Sequence, residues 1–145
     1  AGGEKGRGRR RCDKEGKIVI AGIGIDLVEV PRMQKILRRW GDRFTARVYT
    51  PEEIAYCRGK ALPAIHFAAR FAAKEAALKA LGLGLGMGLD LREVGVARNN
   101  AGLPRLAFTE RGLRMLGERA ICRTHLSMTH TRELALAMVI METQT

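Results

Sequence analysis

The chain has 145 residues, a formal net charge of +11, 46% hydrophobic and 28% charged side chains. That balance fits one globular domain able to bury roughly two-thirds of its unfolded surface, and it excludes a fibrous or wholly disordered chain. Two uncharged apolar runs, Ile18 to Ile25 and Leu134 to Met141, have eight residues each, far short of the ~20 needed to span a bilayer, so both read as buried strands.

Residues 1–17 are rich in Gly, Arg and Lys without apolar periodicity. They read as a disordered basic extension, leaving 18–145 as the domain. No apolar segment follows the basic start, so no secretory signal is expected. Residues 1–16 hold six basic and three acidic side chains, so eight of the eleven net charges belong to the remainder. Such an excess favours an anionic partner: nucleic acid, a phosphorylated cofactor or an acidic protein. Cys12, Cys57 and Cys122 are odd in number and lack C-x-x-C spacing. They predict reduced thiols in a cytosolic protein, with neither a disulfide framework nor a zinc site.

Ile18 to Asp26 is predicted as a strand. Gly22 and Gly24 remove side chains at alternate positions, so something can approach the backbone there. The Gly-x-Gly itself is weak support for nucleotide binding, because no third glycine follows at the dinucleotide spacing. Pro31 to Trp40 is predicted as an amphipathic helix with an apolar stripe of Met33, Ile36, Leu37 and Trp40 and basic residues Arg32, Lys35, Arg38 and Arg39. It is either an ordinary surface helix or a docking face for an acidic helix. Arg43 to Tyr49 reads as a connector. Thr50-Pro-Glu-Glu53 has the form of a capping box and starts a short helix ending near Gly59.

Pro63 begins a longer helix that stops at Gly82-Leu-Gly-Leu-Gly-Met-Gly88, four alternating glycines that cannot form a stable helix. Within it, Glu75 sits among Phe71, Ala72 and Leu78. A charge on such a face needs a partner, and both Lys79 and a metal ion qualify. Leu91 to Arg98 and Leu103 to Thr109 flank Asn99-Asn-Ala-Gly102 and predict a hairpin. Thr109 caps a helix to about Ala120. Cys122 to His130 and Leu134 to Met141 are closing strands joined by Thr131-Arg-Glu133. His125 and His130, five apart on one strand, face opposite ways and make no local metal pair.

Three segments, Gly22-Ile-Gly-Ile-Asp26, Arg70-Phe-Ala-Ala-Lys-Glu-Ala-Ala-Leu-Lys79 and Leu126-Ser-Met-Thr-His130, resemble in order and separation the 4′-phosphopantetheinyl transferase superfamily, in its short bacterial type. The resemblance extends over nearly all of Ile18 to Glu142. It implies an α+β fold, an antiparallel sheet packed around one long central helix in a single domain. It also implies Mg²⁺-dependent transfer of the phosphopantetheine arm of coenzyme A to a serine of an acyl carrier protein, releasing 3′,5′-ADP and supporting fatty acid biosynthesis. Such phosphoryl chemistry rests on positioning and charge neutralisation.

By the same resemblance Asp26 and Glu75 hold Mg²⁺, and Glu75, Lys79 and His130 are catalytic. Arg70, Lys74, Lys79, Gly84, Gly86, His130 and Thr131 contact the co-substrate, and Arg32, Ile36 and Arg39 dock the carrier protein. The base for the serine proton stays open between Glu75 and a water at the metal. A homotrimer with active sites between subunits, a cytoplasmic location and the absence of membrane or nucleic-acid partners are further implications. Ala69 departs from the glycine often found before the Arg-Phe-Ala-Ala-Lys-Glu run, and the basic extension is unusual. The competing readings are a basic nucleic-acid-binding module, which seven aromatics and no base-stacking motif argue against, and a carrier-binding subunit without catalysis.

Overall fold

The structure, a computed structural model, describes Cys12, residues 15–84 and residues 88–145. Most of the expected extension, together with Gly86, lies outside the described residues. Ten elements follow in order: β1 (Ile18–Glu29), α1 (Val30–Trp40), α2 (Asp42–Val48), α3 (Pro51–Arg58), α4 (Pro63–Ala80), β2 (Val94–Arg98), β3 (Pro104–Phe108), α5 (Glu110–Glu118), β4 (Ile121–His130) and β5 (Leu134–Gln144). A single 3₁₀ turn, Leu91–Glu93, precedes β2. The fold class is α+β, with antiparallel sheets β1-β5-β4 and β2-β3. Among the described residues no helix is long and apolar enough to cross a membrane.

α4 is the centre of the molecule. Thirteen of its 18 residues are buried, so it is apolar nearly all round, as a helix enclosed on several sides must be. Its C-terminal half packs with β5, β2, β3 and α5 around Leu78, Val94, Leu106, Val139 and Met141. Its N-terminal half packs with α1, α2 and α3 around Met33, Tyr49, Phe67 and Ile65. Each fully buried Leu, Ile or Met contributes about 1.5–3 kcal/mol.

The glycines of β1 have a clear structural use. A Cβ on Gly22 would lie 1.9 Å from the Ala80 carbonyl oxygen, and one on Gly24 would lie 1.7 Å from that of Ala76. What approaches this backbone is therefore α4 itself. Gly22 and Gly24 alternate with the exposed Ile23 and Ile25, so Asp26, two further on, faces the same helix.

Several expectations are corrected. Arg43 to Tyr49 is not a connector: Gly41, at φ +49°, breaks α1, and Asp42–Val48 forms a helix that buries Thr45 and Val48. β1 continues to Glu29 because β5 pairs with it as far as Leu134. The start of the predicted Leu91–Arg98 strand is the 3₁₀ turn, which Asp90 caps by accepting from Arg92 N at 2.9 Å. Trp40 does not complete an apolar stripe and is 46% exposed, with the Arg39 guanidinium over its ring. The reduced-thiol reading holds for buried Cys57 alone, whose thiol burial pushes up to about 11. Cys12 and Cys122 are joined in a disulfide. Lys17, whose carbonyl accepts from Thr145 N at 3.0 Å, is likewise tied to the domain.

The close seat of β1 on α4 predicts that Gly24→Ala destabilises the protein by about 3 kcal/mol in urea unfolding, an overpacking cost. Gly117→Ala, in α5 with nothing within 4 Å of the added methyl, should be neutral or stabilising by about 0.5–1 kcal/mol.

Candidate active site

Asp26 on β1 meets Glu75 and Lys79 on α4. Glu75 and Lys79 are one turn apart and share, with Phe71, the stripe of the helix that the core does not cover. Lys79 Nζ donates to Asp26 Oδ1 at 3.1 Å and to the Ile25 carbonyl at 2.9 Å. Of the two partners considered for Glu75, Lys79 is thus committed elsewhere. Glu75 Oε1 is buried and has no hydrogen-bond partner. Burial first, and the Asp26 charge second, hold the Glu75 carboxyl above its ordinary value, with Lys79 pulling the other way.

An orphaned carboxylate oxygen facing a second carboxylate is a poor arrangement without a cation, because like charges disfavour each other's ionisation. The pair suits a hard divalent ion, which takes oxygen ligands and is commonly held by one or two carboxylates plus phosphate and water. Among the described residues no group of three or more His, Cys, Asp or Glu gathers for a metal. An ion here would therefore draw its remaining ligands from substrate and solvent.

A second cluster lies on the other side of α4. Arg70 is 3% exposed, its guanidinium stacks 3.9 Å over the Tyr56 ring, and its Nε has no partner. Lys60 Nζ and the Arg98 guanidinium approach the same ring at 4.5 and 4.8 Å, and Arg98 also donates to the Tyr56 hydroxyl. His66 stacks edge-on to Tyr56 and to His130, both with centroids 5.9 Å apart. Burial, then Arg70 and His130, keep the His66 imidazole below its ordinary value and so neutral at pH 7. Burial alone would raise the Tyr56 phenol, but Arg98, Arg70 and Lys60 outweigh it and bring it below the usual tyrosine range. Among the described residues none of these three cations has a carboxylate within ion-pair distance. The cluster has the chemistry of an anion receptor.

The structure thus divides the expected site residues. Asp26, Glu75 and Lys79 come together, and Arg70 and His130 both lie near His66, apart from them. Arg70 and Glu75 are five residues apart on α4 and point in different directions, while β5 separates Asp26 on β1 from His130 on β4. Lys74 does not face a phosphate. Its side chain is fully buried, and its ammonium donates to Glu53, Leu91 and Val94, so that expectation is corrected. Thr131 uses its hydroxyl to accept from Glu133 N and Leu134 N, which shapes the turn after His130. Gly84 is exposed, in the segment that follows the end of α4 at Ala80. Arg32 and Arg39 are exposed and Ile36 half-buried along one side of α1. Tyr56, Lys60 and Arg98 escaped the sequence reading because no periodicity links positions 56, 60 and 98; only α3 and the β2–β3 hairpin bring them to one ring.

Residues 22–139 match the family model of the 4′-phosphopantetheinyl transferase superfamily. A holo-[acyl-carrier-protein] synthase of Syntrophus aciditrophicus is 46% identical over 124 residues, covering 86% of this chain and 97% of that protein. The same enzyme of Koribacter versatilis is also 46% identical, over 86% and 99%. Among solved structures, the holo-[acyl-carrier-protein] synthase of Neisseria meningitidis superposes with a TM-score of 0.79 at 33% identity, covering 85% of this chain and 98% of that one. That of Bacillus anthracis, in complex with CoA (3′,5′-ADP), superposes with 0.70 at 33% identity, over 86% and 97%.

The orphaned Glu75 oxygen yields a signed expectation. Because its folded pKa is raised, the stability linked to Glu75 is fully present below the unfolded value and is lost as pH rises through the folded one. Without divalent cations, Glu75→Gln should therefore melt higher than the parent at neutral pH. That gain should vanish as pH falls into the ordinary carboxylate range, as thermal unfolding across pH will read.

Proposed function

Since the chain belongs to the 4′-phosphopantetheinyl transferase superfamily, we propose that it transfers the phosphopantetheine arm of coenzyme A to a serine of an apo acyl carrier protein, releasing 3′,5′-ADP and serving fatty acid synthesis. The observation that carries the site assignment is the unpartnered Glu75 oxygen beside Asp26, with Lys79 alongside. Asp26 and Glu75 would hold Mg²⁺. Bound there, the ion supplies charge neutralisation at the pyrophosphate.

The remaining work falls to the chain's own groups. The Lys79 ammonium, half exposed and able to leave Asp26 for a phosphate oxygen, offsets the charge developing on the leaving diphosphate. Arg70 and His130, with Tyr56, Lys60 and Arg98 around them, hold a phosphate of the co-substrate and fix its orientation. The exposed basic side of α1, with Arg32, Ile36 and Arg39, receives the acidic carrier and brings its serine to the site. Of the chain's own groups, Glu75 is the one we assign to take the serine proton, since its Oε1 has no hydrogen-bond partner.

The separation of the two clusters within one chain supports an assembly in which each active site takes one cluster from each of two neighbouring copies. The outer face of the β1-β5-β4 sheet supports it further. Ile23, Ile25 and Leu27 of β1 and Leu134 and Met138 of β5 are 39–58% exposed there, an apolar area of the kind that marks an interface. A homotrimer with active sites between subunits is the form we propose. A cytoplasmic setting belongs to the same reading, since both substrates are charged and soluble. The Cys12–Cys122 bond stands against it, because reducing compartments keep thiols free.

Incubation with coenzyme A, Mg²⁺ and an apo acyl carrier protein should add the mass of one phosphopantetheine arm to the carrier. No modification of any carrier would overturn the reading. Arg32→Glu should raise KM for the carrier by roughly tenfold or more while leaving KM for coenzyme A unchanged, as expected for loss of a charged docking contact.

A further inference from the structure

Lys74 adjoins Glu75 in sequence but points about 100° round α4, into the core. Its ammonium donates to Glu53 Oε1 at 2.6 Å, to the Val94 carbonyl at 2.8 Å and to the Leu91 carbonyl at 2.9 Å. Glu53, 2% exposed, also accepts from Thr50 N at 2.9 Å and from Val96 N at 3.1 Å. One ion pair thus links α3, α4, the 3₁₀ turn and β2.

Spacing on the two helices gives this pair a second consequence. On α3, Tyr56 lies three residues after Glu53; on α4, Arg70 lies four residues before Lys74. Residues at those separations are neighbours on a helix face. The α3–α4 contact is therefore a ladder of two rungs, Glu53–Lys74 and Tyr56–Arg70. The first is internally satisfied. The second carries the anion receptor, in which Arg70 Nε has no partner. A buried ion pair is a poor source of net stability but an effective determinant of register, because its donors accept one geometry only.

We propose that Glu53 and Lys74 are positioning residues that fix the register of α3 on α4, and through it the placement of Arg70 against Tyr56 for the co-substrate's phosphate. Neither touches that phosphate. The ligand assignment rests on the transferase reading; the register claim does not.

The test compares Glu53→Gln, Lys74→Met and the double variant, which removes both charges at nearly constant volume and guards against misfolding of the singles. Two readouts are used. In the ligand-free protein, NMR of ring-labelled tyrosine follows the Tyr56 phenol, expected to return towards its usual pKa in all three variants as the cations drift from the ring. Calorimetry with 3′,5′-ADP is expected to show at least roughly tenfold weaker binding in all three, the double variant no worse than the worse single, as for residues that act as one unit. Steady-state kinetics should then place the loss in KM for coenzyme A, with kcat largely kept.

Weaker binding in Lys74→Met with full affinity in Glu53→Gln would overturn the proposal in favour of direct contact between Lys74 and phosphate. Lowered melting temperatures with Tyr56 titration and 3′,5′-ADP affinity unchanged would also overturn it, leaving a purely structural pair. If the parent protein does not bind 3′,5′-ADP, the transferase reading fails, and the Tyr56 titration alone decides the register claim.

Discussion

The contact on which the rest of this molecule depends is the seat of β1 on α4. Gly22 and Gly24 present bare backbone to the carbonyls of Ala76 and Ala80, at a distance that leaves no room for a side chain. A strand held so close to a helix delivers its next inward residue, Asp26, within reach of Glu75 and Lys79. Neither carboxylate is remarkable on its own element. Their chemistry arises because two small-residue patterns, alternate on the strand and one turn apart on the helix, coincide. Larger residues on either side would separate the charges and leave an ordinary surface.

Electrostatics then divides the molecule in two. On the β1 side of α4, acidic groups outnumber the one lysine, and the Glu75 oxygen lacks any donor. On the α3 side, three cations surround one phenol, with no carboxylate among the described residues within ion-pair distance of them. Each half is unsatisfied alone, one calling for a cation and the other for an anion. Under the proposed function a single ligand carrying both, a phosphorylated co-substrate with its divalent ion, would answer the two demands together. Within the chain the two halves lie apart, and the exposed apolar sheet face is a second feature that the proposed assembly of copies would account for.

Much of this was legible in the sequence because it is local. The capping box at Thr50, the Asn99–Gly102 turn, the end of α4 at the glycines and the strands flanking them are short-range patterns, and the structure realises them. The pairing of Asp26 with Glu75 was legible only through the resemblance. Lys74 shows the limit. Its neighbours in sequence suggest a functional lysine, yet one residue along a helix is a turn of about 100°, enough to move a side chain from the site into the core. Its partner Glu53 is 21 residues away on another helix. Nor does spacing disclose the Cys12–Cys122 bond, which spans 110 residues and depends on where the chain start is laid against β4.

An alanine-rich helix at the centre of a fold also raises a problem of register. Alanine permits close approach but interlocks poorly, since its single methyl offers neither ridge nor pocket to resist sliding. Ala76 and Ala80, against which Gly24 and Gly22 sit, let β1 come near without fixing where along α4 it rests. Directional contacts have to supply what shape does not. For α3 they are the fully buried Lys74–Glu53 pair and Arg70 over the half-buried Tyr56 ring; for β1 it is Lys79, which donates to the Ile25 carbonyl and to Asp26. Charged residues in this helix are thus a counterpart of its alanines: the small residues allow the close packing that makes the site, while Lys74 and Lys79 make the directional contacts to α3 and β1.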